Sequence, residues 1–238
     1  MRKGDSRRSL LAVIVATLGC GAVIFGASRA SVVAIQADAG GSLGIRIRLR
    51  IERSVPIARI AAHLRDETEA IWRPYGVQLE WVDVDTLETR ATGVSVDVTV
   101  ERPDAHAGGI EWASTLGRTF VGPDAWGWRP IRVSFDAVTK VLGDGTSGAS
   151  GTGRVPALYL SRALGRVLAH EIGHVLINAT EHDQTGLMRA SFSADQLTQL
   201  DRSPFRLTCA TVDRLRHRFH IVGGAPFIAQ LNTHECIP

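Results

Sequence analysis

The sequence predicts an α+β fold in which a twisted, mixed β-sheet packs on two helices, with a small helical segment at the C-terminus. Three observations support this fold class. Residues 45–51 alternate strictly between apolar and arginine side chains, which is typical of a strand with one buried face. Valine at every second position from Val94 to Val100 indicates another strand. Residues 160–177 carry an apolar stripe at helical spacing.

A first helix is predicted between the first two strands. Pro56 suits the first turn of a helix, where no amide proton is needed, and apolar residues then recur at helical spacing. Pro74 and Gly76 end this helix. The apolar residues at 77–81 indicate the second strand, so the chain begins with the order β-α-β.

Two further strands are expected before the helix at 160–177. Residues 131–135 alternate like a strand, and residues 112–121 fit either a short edge strand or a loop that pairs with nothing. As an edge strand, residues 112–121 would offer free amide groups to an extended peptide. The glycine-rich stretch 143–153 lacks the Gly-Lys-Ser/Thr ending of a phosphate-binding loop, so it predicts a flexible connector.

The C-terminal part is predicted to be helical. Ser193 followed by Gln196 forms a capping box, which begins a helix that runs to about Leu200. A last helix is expected at about 207–219. We therefore divide the chain into a leader at 1–39, a main domain at 40–190 and a C-terminal helical subdomain at 191–238.

The N-terminus has the features of a signal peptide or a marginal membrane anchor. Residues 1–9 are basic, and an 18-residue apolar run extends from Leu10 to Ala27. Arg7 and Arg8 fit a twin-arginine export signal or an ordinary basic leader. In each case we expect the domain outside the cytoplasm, as a secreted, periplasmic or membrane-anchored protein.

The basic character of the chain is confined to its leader. The net charge of the whole sequence is +3, but residues 1–37 hold five basic residues and one acidic residue. The remaining chain therefore carries a net charge of −1. This distribution gives no electrostatic reason to expect nucleic-acid binding.

The chain has three cysteines, and two of them lie in the C-terminal subdomain. Cys20 lies in the apolar run of the leader, which leaves Cys209 and Cys236. In an oxidising compartment two cysteines most simply form one disulfide, and two unpaired thiols are the alternative.

The most specific motif is the run from His170 to His174, which has the pattern HExxH. Two histidines four residues apart on a helix project from the same face, and Zn²⁺ binds imidazole nitrogen. A third ligand must come from elsewhere. Glu171 can reach a metal-bound water and act as general base, because zinc lowers the pKa of that water to about 7. The alternative is a pair of unrelated histidines beside a chance glutamate.

Residues from His170 to Met188 resemble the metzincin branch of the zinc metallopeptidases. That family has the motif HExxHxxGxxH, followed by a methionine-containing turn beneath the metal. The resemblance implies that His170 and His174 are zinc ligands, that Glu171 is the catalytic base and that Met188 is the turn methionine. The run HEIGHVL, followed by a histidine and Leu-Met, is most similar to the matrix-metalloprotease style. The resemblance to the metzincins also implies a zincin-like fold with the motif helix under the cleft.

The motif departs from the family pattern after its second histidine. The glycine of the family would fall at Ile177, and its third histidine at Thr180. His182 comes two residues late. Asn178 can adopt the left-handed conformation that ends a helix, as glycine does in the family. The helix and the following loop would each be one residue longer, which makes His182 the candidate third ligand.

Other residues near the motif leave alternatives open. Glu181 and Asp183 flank the candidate ligand and could coordinate zinc or orient a ligand imidazole. Arg189 follows Met188, where no tyrosine stands. The tyrosine that assists the transition state in some metzincins is therefore not carried over.

The resemblance implies an exported, zinc-dependent metallopeptidase that hydrolyses peptide bonds in a peptide or protein. Two alternatives remain open from the sequence. One is a non-catalytic zinc-binding module of the same fold in the envelope or outside the cell. The other is an exported structural protein without a metal. The leader allows membrane association in each case.

Overall fold

The computed structural model describes seven parts of the chain, namely residues 43–55, 60–83, 94–102, 115–122, 128–146, 155–223 and 236–238. The leader expected at 1–39 lies outside these described residues. Within them, no helix is both long and apolar enough to cross a membrane.

In the part of the chain that the structure describes, five strands form one mixed sheet with the order β2-β1-β3-β5-β4. The strands are β1 (Leu43–Ile51), β2 (Val77–Val82), β3 (Val94–Glu101), β4 (Gly117–Thr119) and β5 (Trp128–Ser134). The first four strands in that order are parallel, and β4 runs antiparallel to β5 at the edge. The predicted mixed sheet is therefore confirmed, and residues 117–119 of the expected edge strand pair with β5.

The two faces of the sheet follow from the alternation in β1. Ile45 and Ile47 are fully buried on the face that meets the helices. On the opposite face, Arg46 forms an ion pair with Glu80 of β2 at 3.1 Å, and Arg48 forms one with Asp97 of β3 at 3.1 Å. A mostly parallel sheet is usually apolar on both faces. Here one face is apolar and the other carries ion pairs, which explains why the strands alternate.

Within the described residues, five α-helices accompany the sheet. They are α1 (Ile60–Trp72), α2 (Phe135–Thr146), α3 (Ala157–Ile177), α4 (Ala194–Thr198) and α5 (Cys209–Gly223). The motif helix α3 packs closely on α1. The Thr68 hydroxyl donates a hydrogen bond to the Gly165 carbonyl at 3.1 Å, and the Trp72 indole donates one to the Ala169 carbonyl at 3.2 Å. A Cβ atom at Gly165 would lie 2.7 Å from the Leu64 carbonyl oxygen, so this contact needs glycine.

Helix α2 corrects the element order predicted from the sequence. Phe135 was expected to end a strand, but it begins a helix that reaches Thr146. The Ser134 hydroxyl accepts a hydrogen bond from the Ala137 amide at 3.2 Å, as an N-cap does. Phe135, Val138 and Leu142 are buried at helical spacing. The connector expected at 143–153 is thus helical at its start, and residues 147–154 lie outside the described part.

An ion cluster around the buried side chains of Glu67 and Arg166 joins α1, α3 and the segment after α4. The Arg166 side chain is fully buried, and its Nε lies 2.8 Å from Glu67 Oε1. Arg202 Nη2 lies 2.7 Å from the other oxygen of Glu67. Arg166 also donates hydrogen bonds to the carbonyls of Gln196, Gln199 and Asp201. The donors on Arg166 thereby fasten the segment 196–201 to the motif helix.

The C-terminal elements follow the sequence prediction with shifted ends. The capping box at Ser193 is present, and α4 ends two residues before the expected Leu200. Cys209 and Cys236 form a disulfide. Beside it, the Cys209 amide donates to the Ile237 carbonyl at 2.9 Å. This pairing holds the end of the chain against the start of α5, while the division at residue 190 stays a prediction.

Replacement of Gly165 by alanine tests the contact between α1 and α3, with Gly143→Ala as the matched control. A Cβ atom at Gly143, which is also helical, would meet nothing within 4 Å. We expect Gly143→Ala to raise the free energy of unfolding by up to about 1 kcal/mol, because alanine favours helix. Gly165→Ala should lower it by about 1–3 kcal/mol, because the backbone of α1 must move. Urea unfolding of both variants measures this difference, and equal stability would contradict it.

Candidate metal centre

Three histidines from α3 and the loop after it lie close together. His170 and His174 lie one turn apart on α3, and their Nε2 atoms are 3.0 Å from each other. His182 lies on the loop after α3, with its ring centroid 5.3 Å from that of His170 and 4.8 Å from that of His174. One ring nitrogen from each residue lies within 4.8 Å of the others, so the three are positioned to bind a metal. The structure therefore brings all three predicted ligands together.

Backbone carbonyls determine which nitrogen of each buried ring carries the proton. His170 Nδ1 lies 2.7 Å from the Leu187 carbonyl, and His174 Nδ1 lies 2.7 Å from the Ala179 carbonyl. A carbonyl oxygen can only accept, so each Nδ1 must donate. Burial lowers the pKa of His170 to about 3, and it also lowers the pKa of His174. Both rings are therefore neutral near pH 7, with lone pairs on Nε2.

The two Nε2 atoms of His170 and His174, whose lone pairs face each other, are suited to bind a cation. Two neutral imidazoles with unprotonated Nε2 atoms 3.0 Å apart repel each other, because no proton lies between them. In a tetrahedral site with Zn–N bonds of about 2.0–2.1 Å, neighbouring nitrogens lie about 3.3 Å apart. The separation of the Nε2 atoms is close to that value. Zinc-binding histidines also typically donate their other ring N–H to a carbonyl, as these two do.

The end of α3 brings His182 towards the other two histidines. Asn178 adopts the left-handed conformation, with φ 51° and ψ 45°, as its sequence position predicts. Its side-chain oxygen accepts a hydrogen bond from Arg129 at 2.9 Å. The helix therefore ends one residue later than in the family pattern. The role of His182 as third ligand stays a prediction, but its position agrees with that role.

The two carboxylates beside His182 are not part of the cluster that could hold a metal. Glu181 is exposed. The Asp183 carboxylate instead accepts hydrogen bonds from the hydroxyls of Thr208 at 2.5 Å and Thr211 at 2.6 Å, and from Arg214 at 2.6 Å. Burial alone would raise the pKa of Asp183, but these three donors outweigh it and lower the pKa.

Glu171 lies in the wall of the cleft beneath the edge strand. A Cβ atom at Gly117 of β4 would lie 2.6 Å from Glu171 Oε1, so a larger residue there would displace the Glu171 carboxylate. Burial raises the pKa of Glu171 to about 8 in the protein without a cation. A divalent cation nearby favours the ionised carboxylate, so metal binding would return Glu171 to the form that accepts protons.

Met188 lies directly beneath the motif helix. It is 1% exposed, and a Cβ atom at Gly173 would collide with its sulfur. The preceding residue, Leu187, donates its amide to the Arg206 carbonyl at 2.8 Å while its own carbonyl accepts from His170. The turn that contains Met188 therefore orients the first histidine through its backbone, and the methionine side chain fills the space below.

A cleft of about 540 Å³ surrounds these groups. Phe192 forms part of one wall, with its ring edge-on to His170 at 5.7 Å and stacked on Phe205 at 5.0 Å. Phe192 and Gly117 were not recognised from the sequence. An isolated phenylalanine or glycine carries no periodic signal, and their roles depend on contacts far along the chain. The other lining residues include Thr115–Thr119, Val141, Val167, Thr180, Ala190 and Ser191.

No protein-family model matches the chain, and no curated protein matches it. Among solved structures, the chain is similar to the crystal structure of archaemetzincin (amzA) from Methanopyrus kandleri. The two chains are 15% identical with a TM-score of 0.45, and the match covers 77% of this chain and 99% of that one. A similarity this low does not transfer an activity to this chain.

The contact between Gly173 and Met188 can be tested by a double-mutant cycle. Gly173→Ala alone should lower the free energy of unfolding by about 1–3 kcal/mol, because it overpacks the site above the sulfur. Met188→Ala alone should lower it by about 2–5 kcal/mol, because it leaves a cavity. In the double variant the new methyl group has room, so the total loss should be less than the sum of the single losses. Strict additivity in urea unfolding would show that the two residues do not touch.

Proposed function

We propose that this chain is an exported zinc metallopeptidase of metzincin type. The proposal rests on the Nε2 atoms of His170 and His174, which lie 3.0 Å apart and point their lone pairs at each other. Backbone carbonyls hold both rings in this orientation, and His182 lies beside them. A neutral, buried pair of this kind suits a divalent cation that prefers nitrogen ligands, as zinc does. The neighbouring Glu171 then supplies a carboxylate where a catalyst needs a base.

Each residue has a distinct role in the proposed reaction. His170, His174 and His182 would hold the metal. Bound zinc would lower the pKa of a coordinated water and polarise a substrate carbonyl. Glu171 would accept a proton from the attacking water and then deliver it to the amine that leaves when the peptide bond breaks. Met188 would support the metal centre from below without taking part in the chemistry.

The proposed substrate is an extended segment of a peptide or protein. Strand β4 borders the cleft and, among the described strands, pairs with β5 alone. An extended chain could add to the other side of β4 through main-chain hydrogen bonds, which would place its peptide bonds above Glu171. The closeness of Gly117 to the Glu171 carboxylate supports this arrangement, because it puts the edge strand next to the proposed base.

Location outside the cytoplasm is also a proposal. The basic and apolar leader predicts export, and the disulfide between Cys209 and Cys236 is compatible with an oxidising compartment.

Zinc-dependent turnover, rather than zinc binding alone, separates the peptidase from the non-catalytic module that the sequence leaves open.

Replacement of Glu171 by glutamine tests catalysis. We expect Glu171→Gln to keep its zinc and to lose peptide hydrolysis by about 10²–10⁴-fold, the usual contribution of a general base. Zinc content and the rate of cleavage of unfolded casein are measured together. Glu80→Gln is the matched control, because Glu80 lies on the opposite face of the sheet and should keep the wild-type rate.

Two outcomes would count against the peptidase. If Glu171→Gln cleaves casein as fast as the wild type, Glu171 is not the base. If the wild type contains zinc and cleaves neither casein nor a mixed peptide library, the non-catalytic zinc module becomes the better interpretation.

A further inference from the structure

The loop that carries His182 is anchored by the side chain of Asp183. In the segment 180–184 all residues except Asp183 are exposed. The side chain of Asp183 is only 15% exposed. Its Oδ2 atom accepts from the hydroxyls of Thr208 and Thr211, and its Oδ1 atom accepts from Arg214 at 2.6 Å. All three donors lie on α5 or immediately before it. The Asp183 side chain therefore ties the loop after His182 to α5.

The backbone of Asp183 is fixed as well. Its amide donates to the Met188 carbonyl at 2.8 Å, and the residue pairs with Arg189 in an isolated β-bridge. On the other side of the histidine, the loop is fixed by Asn178, whose side chain accepts from Arg129. His182 thus lies between two fixed points. Without the Asp183 side chain, one of these points would be held by backbone contacts only.

We propose that Asp183 is a positioning residue for the metal centre, and that α5 belongs to that centre although it supplies no ligand. This inference rests on the proposed function, because it takes His182 to be the third zinc ligand. Asp183 holds the exposed imidazole of His182 near the buried pair of His170 and His174 before zinc arrives. Pre-ordering a ligand in this way strengthens binding, because less conformational freedom is lost when the metal binds.

The zinc dissociation constant, measured by competition with a chromogenic chelator, tests this role. We expect Asp183→Ala to weaken zinc binding about 10–100-fold, the usual effect of losing a group that supports a ligand. Asp213→Ala is the matched control, because Asp213 is an exposed aspartate on α5, and this variant should bind zinc with unchanged affinity.

Variants at Thr211 keep the test valid if Asp183→Ala folds poorly. Thr211→Val removes one donor to Asp183 and nearly preserves the shape, so it should weaken zinc binding, whereas Thr211→Ser keeps the hydroxyl and should restore it. The absorption spectrum of the Co²⁺-substituted protein adds a second readout, since it reports the ligand geometry. Thr211→Val should shift this spectrum towards that of His182→Ala, and Thr211→Ser should not.

A double variant separates positioning from a general loss of stability. If Asp183 acts through His182, Asp183→Ala should weaken zinc binding in the wild type and have no further effect in the His182→Ala background. An equal effect in both backgrounds, or wild-type affinity in Asp183→Ala, would overturn the proposal while leaving the zinc site intact. A wild type that binds no zinc would instead overturn the proposed function, and this role with it.

Discussion

The metal centre depends on two hydrogen bonds from imidazole to backbone. The Leu187 and Ala179 carbonyls accept from the Nδ1 atoms of His170 and His174, so the two Nε2 lone pairs face each other. One carbonyl comes from the turn that contains Met188 and the other from the end of α3. The residues that end the motif helix therefore fix His174, and the chain returns to that helix at Leu187 to fix His170. Without these contacts the rings could rotate or exchange protons, and the site would lose its preference for a cation.

Close approach of backbone and side chains connects the fold to this site. Gly165 lets α1 pack on the back of α3, Gly173 gives room for the sulfur of Met188, and Gly117 lets the edge strand pass over Glu171. A methyl group at Gly165 would collide with the backbone of α1, and one at Gly173 or Gly117 would push the side chain of Met188 or Glu171 aside. The motif helix is therefore enclosed from three directions, which buries His170 and Glu171. That burial keeps the histidine neutral and makes the protonation of the glutamate sensitive to a nearby cation.

Local sequence signals predicted much of the fold and part of the site. Alternation identified β1 and β3, helical spacing identified α3, and the turn at Asn178 followed from the ability of asparagine to adopt a positive φ. The sequence reading overlooked α2, because Phe135 continues the alternation of β5 and hides the helix start at Ser134. The anchoring of Asp183 could not be predicted, since its partners lie 25–31 residues away and no short pattern encodes such contacts.

The most direct test of the account is the zinc content of the purified chain and of its His174→Ala variant, measured by elemental analysis after exhaustive dialysis. We expect one zinc per wild-type chain and a large loss of zinc in the variant, because alanine at position 174 removes one of the two facing Nε2 atoms. We also expect a chelator to lower the melting temperature of the wild type, since zinc bound to the native state stabilises it. Absence of zinc from the wild type, even after zinc is added back, would contradict the account.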